Sequence, residues 1–331
     1  MRRKHLENTK IVATVGPTSS SLETLRKLAF SGVNVFRLNF SHGAHDEILD
    51  IIQNIQKINK EHGIHVGILA DLQGPKLRIG EIKDGSIEIE KGDVLTFTNK
   101  NVEGSKKEIY MSYEEFSADV EKGERVLVDD GKIVLKVLDT NTEGTVKMEV
   151  LFGGTLSSNK GVNLPDTEIS LPSLTEKDLN DLDFIMTQNI QWVALSFVRK
   201  SKDIRELSRI LLENNHSAKV IAKIEKPEAV GNIDEIIEHS NAIMVARGDL
   251  GVEMPMEKLP GVQKDIINKC LQSARPVIVA TQMMESMITS PSPTRAEVTD
   301  VANAVLDGAD ALMLSGETSV GAHPVRVVES M

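Results

Sequence analysis

Short apolar segments rich in β-branched residues alternate along the chain with longer amphipathic segments. The apolar segments predict eight strands, at Lys10–Val15, Val33–Phe40, His65–Leu72, Trp192–Val198, Lys219–Glu225, Ala242–Arg247, Pro276–Met283 and Ala311–Ser315. Between them a 3.6-residue period predicts helices such as Ser21–Ala29, His45–Asn59, Leu174–Met186, Lys202–Leu212 and Arg295–Leu306. Alternating strands and helices form a parallel sheet covered by helices, and eight repeats favour closure. The pattern therefore predicts an α/β fold, a (β/α)8 TIM barrel.

The pattern changes between the third and fourth predicted strands. Residues 76–170 alternate with a period of two in short segments such as Ser86–Ile89, Arg125–Val128 and Val146–Val150, separated by Asp-Gly turns. This texture predicts a small inserted all-β domain, an antiparallel barrel or sandwich. We expect residues 1–75 to form the first part of the barrel with strands 1–3, residues 76–170 the inserted β lid domain, and residues 171–331 the second part with strands 4–8.

The last residues, 325–331, have the pattern of an amphipathic helix without a stop signal. We expect the last barrel helix to be truncated here and the natural protein to continue.

Composition and charge narrow the possible functions. The 331 residues are 40% hydrophobic and 26% charged, which is typical of a globular protein with a large core. The net charge of −11 argues against nucleic acid or an anionic membrane as a partner, because both require a basic surface. An anionic substrate must therefore meet a local cationic pocket.

The chain has one cysteine, Cys270, so it cannot form an internal disulfide, which fits a reducing compartment. No secretory signal follows the charged first residues, and no apolar segment is long enough to cross a bilayer. We expect a cytoplasmic protein.

The second predicted strand carries polar side chains at every other position near its end. Arg37, Asn39 and Ser41 alternate with Leu38 and Phe40, so the three polar groups share one face. In a barrel of this kind the reacting groups lie at the carboxyl ends of the strands. A solvated edge strand would give the same alternation.

Two further strand ends combine opposite charges. Lys223 and Glu225 lie two residues apart, and Asp249 follows the sixth strand in a glycine-rich turn. Two carboxylates from neighbouring strands suit magnesium, which takes one or two protein carboxylates and completes its shell with other oxygens. The alternative is a buried Lys-Glu salt bridge with a turn aspartate.

Other polar residues flank the same predicted edge. Gly248 and Gly251 open a turn before a helix, where backbone N–H groups favour an anion. Thr281 lies among apolar residues of the seventh strand. His42, just past the second strand, and Arg78, at the start of the inserted domain, flank the entrance to the predicted site at the carboxyl ends of the strands. His42 taken alone is equally explained as a structural histidine.

These segments together resemble the pyruvate kinase family, in family order over essentially the whole chain. The motifs that carry the resemblance are TKIVATVGP from Thr9, RLNFSHG from Arg37, DLQGPKLRIG from Asp71, VDDGKI from Val128, KGVNLP from Lys160, SFVRK from Ser196, AKIEKPE from Ala222, MVARGDLGVE from Met244, ATQMMESM from Ala280, PTRAEVTDVANAVLDGAD from Pro293 and SGET from Ser315.

The resemblance implies a phosphotransferase that converts phosphoenolpyruvate and ADP to pyruvate and ATP, the final step of glycolysis. It implies that Glu225 and Asp249 hold Mg2+ or Mn2+, that Lys223 neutralises the phosphoryl group in flight, and that Arg37 binds its phosphate. The remaining roles it implies are a substrate pocket completed by Gly248, Asp249 and Thr281, and nucleotide contacts from His42, Arg78 and Lys160. Thr281, or a water beside it, is the candidate for the path of the proton to the enolate.

A monovalent cation is the point at which this chain departs from the family pattern. The resemblance implies a potassium pocket of Asn39, Ser41, Asp71 and the carbonyl of Leu72. A glutamate often accompanies this pocket four residues after Leu72, where this chain has Lys76. Because a tethered ammonium supplies the same positive charge, we expect activity without K+.

The resemblance also implies a carboxyl-terminal regulatory domain that this chain lacks, and a homo-oligomer. We expect a tetramer at full length and a dimer or monomer for this chain. Two alternatives stay open at this point: a metal-dependent aldolase or lyase barrel that uses no nucleotide, and a ligand-binding fragment without turnover.

Overall fold

The computed structural model describes residues 8–41, 43–141 and 144–331. Within these ranges the strands are β1 Lys10–Thr14, β2 Val33–Asn39, β3 Gly67–Asp71, β4 Ser86–Ile89, β5 Val94–Thr98, β6 Glu108–Tyr110, β7 Arg125–Val128, β8 Ile133–Thr140, β9 Thr145–Phe152, β10 Gly154–Ser157, β11 Val162–Asn163, β12 Trp192–Leu195, β13 Lys219–Ile224, β14 Ala242–Ala246, β15 Val277–Ala280 and β16 Ala311–Leu314.

The helices are α1 Leu22–Ser31, α2 His45–His62, α3 Phe116–Asp119, α4 Glu176–Met186, α5 Ser201–Glu213, α6 Pro227–Gly231, α7 Ile233–His239, α8 Arg247–Glu253, α9 Leu259–Gln272, α10 Arg295–Leu306, α11 Gly316–Ser319 and α12 Pro324–Ser330. In the described part of the chain, none of them is long and apolar enough to cross a membrane.

Eight parallel strands close into a barrel in the order β1-β16-β15-β14-β13-β12-β3-β2. The predicted TIM barrel is confirmed. Strand β2 pairs with β1 on one side and with β3 on the other. It is therefore not an edge strand, and this excludes the edge-strand explanation for its alternating polar residues.

The barrel is filled by apolar side chains from its strands. The interior cluster comprises Val12, Leu69, Ala194, Ile221, Ala242, Met244, Ile278, Ala280, Ala311 and Met313. Several surrounding helices begin at side-chain caps, in which a side-chain oxygen accepts a backbone N–H that the helix leaves free. Thr175 with Asp178 at α4 and Thr294 with Glu297 at α10 form reciprocal capping boxes.

Each barrel strand ends one to three residues before its predicted end. The backbone leaves the extended conformation just beyond β12 and β15, where Phe197, Thr281 and Gln282 have φ values of 52°, 78° and 56°. Beyond β14 the chain enters α8 at Arg247. An apolar pattern predicts burial but does not predict positive φ values. Such φ values are uncommon for residues other than glycine and are energetically unfavourable for a β-branched threonine.

The chain divides into two compact units. The first is the barrel unit, which comprises the chain up to Gly74, Ser173–Leu250 and Glu257–Met331. The second, here called the inserted unit, comprises Pro75–Pro172 together with Gly251–Met256. The sequence pattern gave no sign that this second short segment belongs with the insertion.

The inserted unit is built from β-structure, as predicted. It contains a six-stranded sheet in the order β11-β7-β8-β9-β5-β6 and a two-stranded sheet of β10 and β4. Its own core includes Leu95, Phe97, Val126, Leu135 and Met148, all almost fully buried. The pairing is antiparallel except between β5 and β6, which are parallel.

Candidate active site

Lys223, near the carboxyl end of β13, has a buried ammonium surrounded by oxygen atoms. Its Nζ lies 2.9 Å from Glu225 Oε1 and 3.2 Å from Asp71 Oδ1, and it donates a 2.7 Å hydrogen bond to Ser196 Oγ. Burial lowers the pKa of Lys223, but the charges of Asp71 and Glu225 outweigh burial and hold the pKa above its ordinary value. The group is therefore a fixed cation.

Arg37, on β2, provides a second cation at the same end of the barrel. Its Nε and Nη2 both lie 2.6 Å from Asp71 Oδ2, and Nη1 donates to Thr14 Oγ1 at 3.0 Å. Burial raises the pKa of Asp71, but Lys223 and Arg37 together lower it below its ordinary value. Asp71 thus holds both cations at fixed positions.

Asp71 also has acceptor capacity left. The 3.2 Å contact of Oδ1 with Lys223 lacks hydrogen-bond geometry, and no other partner among the described residues donates to this buried atom. Nearby, Asn39 Oδ1 accepts the Ser41 N–H at 3.1 Å, and the Leu72 carbonyl accepts from Ser196 Oγ at 2.7 Å. Oxygen atoms of this kind suit a hard cation.

Glu225 and Asp249 are the two candidate divalent-metal ligands. Glu225 Oε2 accepts the Phe197 N–H at 2.6 Å, and burial together with the charge of Asp249 raises its pKa in spite of Lys223. A bound divalent cation would relieve this repulsion, and each Glu225 oxygen retains a lone pair. Over the described residues no cluster of three or more His, Cys, Asp or Glu side chains is arranged to hold a metal. Two carboxylates satisfy magnesium, whose shell is completed by other oxygens.

Gly248, in the first turn of α8, lies in close contact with Thr281, which follows β15. A Cβ added at Gly248 would lie 2.9 Å from Thr281 Cγ2, closer than two carbon atoms approach without displacement. The Arg247 guanidinium donates from Nη2 to the Thr281 carbonyl at 2.7 Å and pairs with Asp300 at 2.8 Å. Arg247 thus fixes the left-handed turn that carries the Thr281 hydroxyl.

The sequence did not predict a role for three residues that make hydrogen bonds in this cluster. Ser196 accepts a hydrogen bond from Lys223 and donates one to the Leu72 carbonyl. The Phe197 N–H donates to Glu225, and the Arg247 guanidinium donates to the Thr281 carbonyl. The SFVRK and MVARGDLGVE motifs contained all three, but their roles depend on hydrogen bonds between separate strands. The alternative Lys-Glu salt bridge is observed as well, since Lys223 and Glu225 are paired and buried.

The inserted unit contains the other predicted contact residues. Arg78 and Gly161 form an antiparallel bridge, which makes Lys160 a close neighbour of Arg78. Lys160 Nζ pairs with Asp129 at 2.9 Å, and Arg78 Nη1 donates to the Asn159 carbonyl at 2.9 Å. Lys76 belongs to this unit too, and the prediction for His42 falls outside the described residues.

Comparison with known proteins gives consistent matches. The family model "Pyruvate kinase, barrel domain" matches residues 6–328. The chain is 46% identical over 328 residues to a pyruvate kinase of Staphylococcus haemolyticus, covering 98% of this chain and 56% of the relative. It is also 46% identical over 327 residues to one of Staphylococcus aureus strain MRSA252, with the same coverage. The chain thus spans little more than half the length of these curated relatives.

A solved structure agrees with these matches. The fold aligns with the crystal structure of a pyruvate kinase from Cryptosporidium parvum with a TM-score of 0.94 at 42% identity. The alignment covers 98% of this chain and 67% of that one.

Proposed function

Because this chain belongs to the pyruvate kinase family, we propose that it transfers the phosphoryl group of phosphoenolpyruvate to ADP, giving pyruvate and ATP. The observation that carries the proposal is the convergence of Arg37, Lys223 and Glu225 at the carboxyl ends of the barrel strands. In a chain of net charge −11, Arg37 and Lys223 are two fixed cations, held by Asp71 and Glu225, that an anionic substrate can contact.

In the proposed reaction the bond between phosphorus and the enol oxygen breaks, and a β-phosphate oxygen of ADP forms the new bond to phosphorus. The protein contributes mainly positioning and stabilisation of negative charge. Arg37 would bind the phosphate, and the Lys223 ammonium would neutralise the phosphoryl group during transfer. Gly248, Asp249 and Thr281 would complete the substrate pocket.

The enolate that remains takes up one proton on carbon to become pyruvate. The Thr281 hydroxyl, or a water beside it, is the proposed last step of that proton path from solvent. The Arg247 contacts with the Thr281 carbonyl support this role, because they hold the turn in one conformation.

Enzymes of this family use a divalent cation, and we propose Mg2+ or Mn2+ held by Glu225 and Asp249. When bound, the ion would supply positive charge to the substrate oxygens. Burial and the charge of Asp249 raise the pKa of Glu225, and a divalent cation bound there would offset both the lost hydration and the repulsion between the two carboxylates.

We assign nucleotide contacts to Arg78 and Lys160 of the inserted unit and to His42. The proximity of Arg78 and Lys160 supports a shared role in binding polyphosphate. We further propose that residues 76–170 act as a lid domain, between barrel parts 1–75 and 171–331, that excludes water during transfer.

We also propose a cytoplasmic location and a homo-oligomer, a tetramer at full length. The Asn39, Ser41, Asp71 and Leu72 pocket would take a monovalent cation, or the Lys76 ammonium in its place. The acceptor capacity of Asp71 Oδ1 supports a cation at this point.

The test is a coupled assay of pyruvate formation from phosphoenolpyruvate and ADP with Mg2+, run on this chain and on its Lys223→Met variant. We expect turnover that the variant loses by roughly 10^2-fold or more. Dependence of pyruvate formation on ADP separates the proposal from the aldolase or lyase alternative, which uses no nucleotide. Metal-dependent binding of phosphoenolpyruvate without ATP formation in either protein would favour the ligand-binding fragment.

A further inference from the structure

The chain leaves the barrel unit after Gly74 and returns to it at Ser173. These two crossings are the covalent connections between the barrel unit and Pro75–Pro172, while Gly251–Met256 of the inserted unit is joined through two further crossings. The first two crossings are both bonded to one side chain, the carboxylate of Asp178 in the first turn of α4.

The hydrogen bonds of Asp178 divide between the two crossings. Oδ1 accepts the Gly74 N–H at 3.1 Å. Oδ2 accepts the Thr175 N–H at 2.9 Å and the Thr175 hydroxyl at 2.6 Å. One rigid group with two oxygens therefore fixes the outgoing chain with one oxygen and the returning chain with the other.

Burial makes this arrangement stiff. The Asp178 side chain is fully buried, at 0% exposure, so water does not replace a broken bond without opening the structure. Gly74 has a φ of 67°, and a Cβ at this position would lie 3.0 Å from side-chain atoms of Ser196 and Phe197. The outgoing crossing is thus closely packed, in a backbone conformation that suits glycine.

An ordinary helix cap does not require these features. Asp203 is a useful comparison, because it occupies the same N3 position in α5 and accepts the Arg199 and Lys200 N–H groups at 2.9 and 3.1 Å. Its partners are all adjacent in sequence. Asp178 alone of the two reaches across 104 residues to a second segment.

We propose that Asp178 is a positioning residue that fixes both crossings and thereby sets the position of the nucleotide-binding side chains of the inserted unit. The inference rests on the proposed function, in which Arg78 and Lys160 contact the nucleotide while Arg37, Lys223 and Thr281 contact phosphoenolpyruvate. All three phosphoenolpyruvate residues belong to the barrel unit, whereas Arg78 and Lys160 belong to the inserted unit. Loosening the crossings should therefore affect the nucleotide and spare phosphoenolpyruvate.

The first measurement is independent of activity. Native-state amide hydrogen exchange is compared in the wild type, in Asp178→Asn and in the matched control Asp203→Asn. We expect exchange at Gly74 or at Thr175 to rise by about tenfold or more in Asp178→Asn, since the amide has one acceptor oxygen for the two crossings and its NH2 group cannot accept. In Asp203→Asn only the Arg199 and Lys200 amides should change. Unchanged protection of both Gly74 and Thr175 in Asp178→Asn would overturn the anchoring role.

The second measurement separates positioning from stability. In Asp178→Asn we expect the KM for ADP to rise by about tenfold while the KM for phosphoenolpyruvate stays within about twofold. The Asp203→Asn control should change neither. A parallel rise of both KM values in Asp178→Asn, or no rise in either, would contradict the positioning role.

A conservative variant tests the same proposal if Asp178→Asn does not fold. Asp178→Glu keeps the charge and the cap, because glutamate is a usual N3 residue, but its extra methylene moves the carboxylate relative to Gly74. We expect Gly74 to lose protection while Thr175 keeps it, with the same selective effect on ADP. If the wild type forms no pyruvate, the proposed function fails together with the nucleotide part of this inference, and hydrogen exchange alone still decides the anchoring.

Discussion

The ammonium of Lys223 lies 2.9 Å from Oε1 of Glu225, two residues further along the chain. Both side chains are almost fully buried, and Asp71 lies on another side of the same ammonium. Lys223 thus contacts two buried carboxylates, of which Asp71 is also paired with Arg37. Removal of the Lys223 ammonium should therefore reduce stability as well as activity.

The first prediction is that Lys223→Met lowers the free energy of unfolding at neutral pH by about 3–5 kcal/mol, as is typical when one partner of a buried ion pair is deleted. The reason is that Glu225 would remain as a buried negative charge without its cation, and Asp71 would keep only Arg37 as a cationic partner. Urea denaturation of the wild type and the variant measures it. The double variant Lys223→Met/Glu225→Gln should regain part of the loss, and a double variant that is less stable than the single one would contradict this explanation.

The second prediction uses the contact between Gly248 and Thr281. In Gly248→Ala the new methyl group would meet Thr281 Cγ2 at 2.9 Å and displace the turn. We expect a several-fold rise in the KM for phosphoenolpyruvate, measured in the coupled assay. Adding Thr281→Ser removes the Cγ2 atom and keeps the hydroxyl, so the double variant should recover affinity. Failure of that recovery would show that the loss has another cause.

Part of this site could be predicted from sequence because it depends on strand geometry. The two-residue period brought Arg37 and Asn39 to one face, and the same period joined Lys223 and Glu225. Ser196, Arg247 and Asp178 could not be found in this way, because their contacts join segments that are 27 to 124 residues apart. Barrel closure determines which of these segments meet.

The fold shows the same division. All eight barrel strands follow from apolar segments, yet each ends before its predicted end. The largest difference is three residues, at β12 and β15, where Phe197, Thr281 and Gln282 adopt positive φ values. The periodicity of apolar residues did not indicate that Gly251–Met256 belongs to the inserted unit. The local pattern of apolar and polar residues indicates which segments are buried, whereas tertiary packing determines the turns and the long-range hydrogen-bond partners.

The third prediction concerns the monovalent cation. We expect this chain to form pyruvate in a potassium-free assay, because the Lys76 ammonium would replace the ion. Lys76→Glu should then create dependence on K+, seen as low activity without the salt and recovery on its addition. Lys83→Glu, a charge reversal at another lysine of the inserted unit, is the matched control. Many-fold activation of the wild type by K+ would refute the replacement.

The fourth prediction concerns Tyr113, which is 2% exposed and donates its hydroxyl proton to Asp119. Burial and the Asp119 hydrogen bond raise its pKa from 10.0 to about 12. A folded-state pKa above the unfolded one means that the proton is held more tightly in the folded protein. The stability that this provides is complete below about pH 10 and is lost as the pH rises towards about 12.

The phenylalanine of Tyr113→Phe cannot ionise, so above about pH 10 the free energy of unfolding of this variant should fall less steeply than that of the wild type. At neutral pH the variant should be less stable than the wild type, because Asp119 loses a hydrogen-bond donor. Urea denaturation at a series of pH values up to about 11.5 measures the two slopes. Tyr110→Phe retains Tyr113 and is the matched control, so its curve should keep the wild-type slope. Parallel curves for wild type and Tyr113→Phe would mean that the Tyr113 proton is held no more tightly in the folded state.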